Sequence, residues 1–412
     1  MVKILAYGYP SDWNFGGPSI ILGFRELVRR CRPDAEFVCY ESAKLTPAVV
    51  ADYDFKVREF PYRGLRAFWK DWMLWRLFGR LPSGEARREF WRDFADSDTV
   101  ANVFGICFCS GSRDITGPFI GLRAWRALLG RFSPSLAARL SHKRSVKTTS
   151  SYGPATRLFD VKSARIASRW FFDVMLAREP RSAQRLSEMT RGRVTPDVAP
   201  DVGNMMPVPQ VERDNALVGL VVSYKLEQEW RRTERTYVDC MARLVEHVRT
   251  RHRCRVALIP NQDGRLEGRK LKRGDTEVAR DVLSALHDAS GVSLVETLGR
   301  PALETKATIA RCTAVVSPRY HACVAALSSG VPLLTLGWHE KYKTLTSLYG
   351  QDRWMISVED CTLERIACEF DALMCARAEA ASEMKRRRPD VVEAVMRSGM
   401  AMLGSCGEGG VK

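Results

Sequence analysis

No apolar run in this 412-residue chain approaches the about 18 residues a helix needs to cross a bilayer; the longest uncharged stretch, Ala322–Trp338, is interrupted by Gly330 and Pro332. The amino terminus, MVKILAYGYP, carries one early Lys and too short an apolar run for a secretory leader, and reads as a first strand. The twelve cysteines form no CxxC pair and no regular spacing, so neither a thiolate zinc site nor a disulfide framework is encoded. Cys107 and Cys109 are two apart on an expected strand and face one way, as small buried groups do. GxGxxG is absent, which removes the dinucleotide fingerprint. Acid is also scarce: 48 Asp+Glu against 64 Lys+Arg leave a formal charge of +16. With no helix-turn-helix, zinc or RNA-binding pattern present, that surplus points to anionic lipid headgroups or phosphorylated metabolites and not to nucleic acid. The expected location is cytoplasmic, with peripheral attachment to the inner face of the cytoplasmic membrane as the open membrane role.

What is present is a repeated strand-loop-helix grammar, in a chain long enough for two domains. In residues 1–207, Lys3–Tyr7, Glu36–Tyr40, Val103–Cys109, Val146–Ser151, Val174–Ala177 and Val198–Ala199 are short apolar runs that end in Gly, Ser or a charge. A Pro-rich joint, Met205–Asn215, separates the halves. Residues 214–375 repeat the alternation with strands at Ala216–Ser223, Val256–Ile259, Val292–Val295, Thr313–Ser317 and Val331–Leu336. Residues 376–412 complete a long charged helical region, expected to pack outside or back onto the first domain, and end in a tail expected to be disordered. Strands alternating with helices predict an α/β fold: two Rossmann-like domains facing a cleft, with parallel sheets covered by helices.

The chemistry concentrates between Ala314 and Leu348. Two consecutive strand-loop-helix units put Arg319, His321, His339, Lys341 and Lys343 at the carboxyl ends of neighbouring strands, where open α/β sheets bind ligands. Arg offers a planar fork, Lys a point charge and His a proton exchangeable near neutrality. Together they predict a site for a small, strongly anionic molecule. The loop Gly8–Gly17, with Asn14, Gly16 and Gly17, is a glycine-rich strand-to-helix turn that either holds a ligand or merely makes the turn. Ser223 and Asn261 are further strand-end binding candidates, and Arg178 beside Glu179 reads either as a ligand contact or as an ion pair.

Two basic, aromatic stretches stand apart. In residues 62–94, Trp69, Trp72 and Trp75 recur every third position on a helix among Arg63, Arg66, Lys70, Arg76 and Arg80; residues 121–147 carry seven further basic groups and no acid from Arg123 on. The first stretch predicts either a helix lying in an anionic membrane with its Trp side chains at headgroup level, or one packed on its domain with Arg stems covering apolar surface.

SPRYHACVAALSSGVPLLTLGWHEKY resembles the Arg-x-His, Gly-Val-Pro and downstream Lys pattern of the polysaccharide pyruvyl transferase family. NFGGPSIILG, SYGP, LAREPRSAQRL, APDVGNMMP, VGLVVS and ALIPNQ are similar to its weaker segments, in the expected order, so the likeness runs from Lys3 to about Asp352. Where that family often has an Asp directly after the first loop's glycine, Gly17-Pro18 stands here, so no carboxylate role is carried to that position. The resemblance implies transfer of pyruvate from phosphoenolpyruvate to two hydroxyls of a sugar, in a glycan or lipid-linked oligosaccharide. A cyclic ketal forms and phosphate leaves, with no cofactor and no metal. It makes the second domain the donor side and the first the acceptor side. Arg319, Lys341 and Lys343 then answer the carboxylate and phosphate, and His321, or failing it His339, supplies the proton. Two other classes remain open: a nucleotide-sugar glycosyltransferase of the same architecture, for which no acidic ribose-binding position is found, and a non-catalytic module docking on anionic membranes.

Overall fold

A computed structural model describes all residues except 1, 9–13, 42–46, 52, 110–121, 231–235, 264, 267–268, 271–272, 298 and 405–412. The expected tail thus lies outside the described residues, apart from Gly404.

The first domain is built on β1 (Lys3–Tyr7), β2 (Glu36–Glu41), β3 (Lys56–Glu59), β4 (Thr99–Asn102), β5 (Ile106–Cys107), β6 (Arg144–Tyr152) and β7 (Val174–Ala177). They pair in parallel in the order β3-β2-β1-β4-β6-β5, with β7 also on β6. Its helices are α1 (Gly16–Cys31), α2 (Leu65–Phe78), α3 (Glu85–Asp96), α4 (Leu122–Leu140), α5 (Leu158–Trp170) and α6 (Pro180–Thr190). Val103–Cys109, expected as one strand, is split: the ladder ends at Asn102 and only Ile106–Cys107 pairs again. Glycine at 105, which weakens strands, falls in the break.

The second sheet is also parallel. Its strands are β8 (Asp214–Val221), β9 (Arg255–Ile259), β12 (Val292–Leu294), β13 (Cys312–Ser317), β14 (Leu333–Gly337) and β15 (Met355–Ser357), with β10 (Arg265–Leu266) and β11 (Arg269–Lys270) forming a separate hairpin. The order β12-β9-β8-β13-β14-β15 is the 3-2-1-4-5-6 arrangement of a doubly wound fold, whose switch point lies between β8 and β13. Helices α7 (Tyr224–Glu229), α8 (Tyr237–His252), α9 (Asp275–Ser284), α10 (Ala302–Arg311), α11 (Tyr320–Ser328), α12 (Lys341–Leu348), α13 (Leu363–Cys375) and α14 (Arg377–Leu403) complete it. On α8 and α13, the Nε2 atoms of His247 and His252 bond to one Asp371 oxygen at 2.7 and 2.6 Å, bracketing the two helices.

Two features join the halves. Phe15, just before α1, and Leu22 within it belong to the same apolar cluster as Ala322, Val324 and Tyr342 of the second domain. Helix α14 gives Met384 and Val391 to that cluster, then Val395, Met402 and Leu403 to the core of the first domain. Arg144 Nε and Arg32 Nη2 hold its end by donating to the carbonyls of Met402 (2.7 Å) and Gly404 (2.6 Å).

The three-residue spacing of Trp69, Trp72 and Trp75 does put them on one side of α2, but that side faces inward. All three pack against the cluster of Phe90, Trp91 and Phe94; Trp75 stacks on Trp91 at 5.6 Å, and Trp72 Nε1 donates to Ser141 Oγ at 3.2 Å. Of the two readings of this stretch, the tryptophans follow the packed one and not the headgroup-level one, because a large aromatic ring gains more from burial than any other side chain on the helix.

Candidate active site at the domain junction

Strand β13 is buried throughout and stops at Ser317-Pro318, because proline cannot continue the ladder. Ser317 Oγ then accepts the Arg319 N–H at 3.1 Å, turning the chain into α11. The neighbouring β14 ends at Gly337, and Trp338 Nε1 and Tyr342 Oη both donate to the Pro318 carbonyl, at 3.1 and 2.6 Å. The two loops are therefore one rigid unit, and they carry Arg319, His321, His339 and Lys341.

The first domain closes against this unit. Phe15 N–H donates to the Asn261 carbonyl at 3.0 Å and Asn14 bridges to Gln262. Asn14 Oδ1 accepts the Gly16 N–H at 2.7 Å, shaping the start of α1. Glycine at 16 is a spatial requirement, since a Cβ there would come within 2.5 Å of His321 Nδ1. Gly17 is buried in the same first turn. His321, from the second domain, thus rests on the first domain's leading helix. On its other side stands Asp201, whose Oδ2 lies 3.8 Å from His321 Nε2.

Arg178, at the end of β7, connects these groups. Its guanidinium donates to Asp201 Oδ2 (2.9 Å) and Ser151 Oγ (2.7 Å) and lies 4.6 Å from the centre of the Tyr320 ring. Glu179 Oε1 accepts from Ser151 and Ser182, both at 2.5 Å. Arg178 is consequently both an ion pair and a wall of the junction. Lys341 is 93% buried by its surroundings, its exposure being 7%, and its Nζ stands 5.0–5.7 Å from the rings of Trp338, Tyr320 and Tyr342. Among the described residues it makes no ion pair within 4 Å. Burial, and then the nearby Arg178 charge, lower its pKa to about 7. Burial also lowers His321 to about 4, against the opposing pull of Asp201. His339, half-buried and lowered to about 4 by burial and by Lys341, accepts the Lys341 N–H at its Nδ1.

Two expected anion ligands are placed differently. Arg319 donates from Nε to Asp275 Oδ2 (2.9 Å), from Nη2 to Asp275 Oδ1 and from Nη1 to Gln262 Oε1 (3.2 Å), leaving two of its five N–H groups beyond these bonds. Asp275, buried, also takes the N–H groups of Tyr224, Asn261 and Gln262, so the pair braces the switch point. Lys343, two residues past Lys341, is exposed and lines an open groove of about 640 Å³ with Glu179, Arg181, Glu340 and Arg387. Ser223 Oγ is used as the amino-terminal cap of α7, and the buried Asn261 holds the Phe15 backbone. His321, expected to supply the proton, has its charged form disfavoured by burial in the free protein. Sequence reasoning did not select Asp201, Tyr320 or Asp275 as site residues; APDVGNMMP and the Tyr next to Arg319 were the available signals.

The sequence matches the family model described as polysaccharide pyruvyl transferase over residues 14–340. The chain belongs to that family. The matched span runs from Asn14 to Glu340 and so takes in Gly16, Arg178, Asp201, Arg319 and His321 of the junction. Among curated proteins no sequence matches this chain. Solved structures do resemble it in shape. A putative UDP-N-acetylglucosamine 2-epimerase from Listeria monocytogenes has 11% identity and a TM-score of 0.57, covering 96% of each chain. The UDP-GlcNAc 2-epimerase of Methanocaldococcus jannaschii has 10% identity and a TM-score of 0.54 over 91% of this chain and 93% of its own. A ugt transferase from Siraitia grosvenorii, solved in complex with UDP, has 11% identity and a TM-score of 0.50 over 97% and 98%. At such identities the likeness establishes the fold, two Rossmann-like domains in the GT-B arrangement, and nothing about substrate.

Proposed function

We propose that this family member transfers pyruvate from phosphoenolpyruvate to two hydroxyls of a sugar in a glycan or lipid-linked glycan, forming a cyclic ketal. The observation that carries the reading is Lys341: a buried amine in an aromatic enclosure, with no carboxylate within 4 Å among the described residues, beside two further cations. An anion entering there gains a charge-assisted bond in a water-poor setting, where such bonds are strongest.

The proton ledger suits a neutral His321. One sugar hydroxyl adds through oxygen to C2 of phosphoenolpyruvate while C3 gains a proton and becomes methyl. The second hydroxyl then attacks C2, phosphate leaves, and the second hydroxyl's proton departs with it. An imidazole that is neutral before substrate arrives takes the first hydroxyl's proton and returns it at C3, with Asp201 behind it to favour the transient imidazolium. In this reading Arg178 and the remaining N–H groups of Arg319 meet charge on the donor. His339, Asn14, Gly16 and Gly17 shape the walls, and Lys343 with its groove is assigned to the acceptor side.

Calorimetry tests the donor. Phosphoenolpyruvate is titrated beside UDP and GDP into the native chain and into Lys341→Met. Saturable phosphoenolpyruvate binding weakened at least about tenfold by the substitution is expected. Binding of a nucleoside diphosphate without phosphoenolpyruvate would make the chain a nucleotide-sugar glycosyltransferase. Arg319→Ala is a poor probe because it strands the buried Asp275.

A further inference from the structure

With its tryptophans turned inward, α2 presents a different face to solvent. Arg66, Lys70, Met73 and Leu77 follow at i, i+4, i+7 and i+11, which is one stripe of a helix, and all are exposed. Met73 is 50% exposed and Leu77 68%; Phe78 follows at 66%, and Leu81, past the left-handed Gly79, at 38%. Four of the eleven large apolar side chains exposed among the described residues therefore fall within nine positions, so the patch is not the scatter an ordinary surface shows. Arg76 and Arg80 are exposed beside it. The one acid between Arg63 and Gly84 is Asp71, which is buried and accepts from Tyr62 Oη at 2.8 Å, so no negative charge faces outward there.

We infer that the outer face of α2 and the turn after it form a docking surface for an anionic lipid bilayer. Apolar tips flanked by basic side chains fit the boundary between acyl chains and headgroup phosphates. Leu77, Phe78 and Leu81 enter the acyl region, and Arg66, Lys70, Arg76 and Arg80 bind at phosphate depth. A protein partner of ordinary charge would leave these cations unanswered, and a second copy of the chain would place them against their like. The inference does not depend on the reaction proposed above.

Co-sedimentation of the full chain with vesicles of phosphatidylglycerol and phosphatidylcholine, and with phosphatidylcholine alone, provides the test. Binding to the anionic vesicles is expected, weakening as salt rises. Leu77→Ser/Phe78→Ser is expected to lower the partition coefficient about tenfold or more, and Arg66→Glu/Lys70→Glu to do the same. A control, Leu158→Ser, alters an equally exposed side chain elsewhere and should leave binding unchanged. Far-UV circular dichroism confirms that the variants are folded, and the two variants act through different forces, so one folding failure does not remove the test. Absence of native binding, or binding that survives both variants, overturns the inference. So does light scattering that shows a dimer dissociated by Leu77→Ser/Phe78→Ser, because the patch is then covered by a second copy.

Discussion

At the scale of single residues, the site is governed by what burial does to two bases. Lys341 has a pKa of about 7 in the free protein, so below that pH its ammonium is already present and an arriving anion moves no proton through it. Above pH 7 the anion raises the pKa and draws a proton in, so affinity for phosphoenolpyruvate is expected to fall as pH rises. Calorimetry at pH 8 in buffers of different ionisation enthalpy should record uptake of up to one proton, and Lys341→Met should abolish it. Gly16→Ala tests His321 from the other side. The new methyl group pushes on the imidazole, whose displacement by about 1 Å costs on the order of a hundredfold in rate. Phosphate release should drop by that order while the melting temperature stays near the native one; an unchanged rate would remove His321 from the chemistry. The cations of this site were legible in the sequence because strand ends and charges are local properties. Asp201 beside His321 was not, since that contact spans 120 positions and both domains.

At the scale of elements, α1 shows how little room the junction leaves. Gly23 lies against the segment after Asp201, and a Cβ there would collide with the carbonyl oxygen of Val202. Gly23→Ala therefore costs about 1–3 kcal/mol even though alanine is the better helix former, because backbone must move to admit the methyl. Urea denaturation that finds the variant as stable as the native chain would refute this packing argument. Helix α2 illustrates the opposite lesson. Its periodicity gave the grouping of Trp69, Trp72 and Trp75 correctly, yet both of its faces carry apolar side chains and its hydrophobic pattern has no single direction. Only the pocket made by Phe90, Trp91 and Phe94 decides which face turns inward.

At the scale of the molecule, α14 is the tie between the domains. It starts in the second domain's core at Met384 and Val391 and finishes in the first domain's at Val395, Met402 and Leu403. Deleting residues 377–412 should strip apolar partners from both cores. Scanning calorimetry is expected to show a lower melting temperature and a transition split in two, whereas one unchanged transition would show that α14 adds nothing to the junction. Charge also acts at this scale: +16 on the chain raises the local concentration of anions around it, an effect that salt removes.

The sequence by itself determined the class of the fold, the strand-loop-helix units and the positions of the basic residues, because hydrophobic period, proline and glycine punctuation and side-chain chemistry are written locally. It also determined the family, through motifs spread along most of the chain. The tertiary structure alone decided which charges are shared and which stand apart. Arg319 went to Asp275, Arg178 to Asp201, and Lys341 to a ring of aromatic side chains, while Lys343 stayed exposed on a groove beside Glu179 and Arg181. A pKa and a free hydrogen-bonding group are properties of an environment, and these environments are assembled from both domains only when the chain closes on itself.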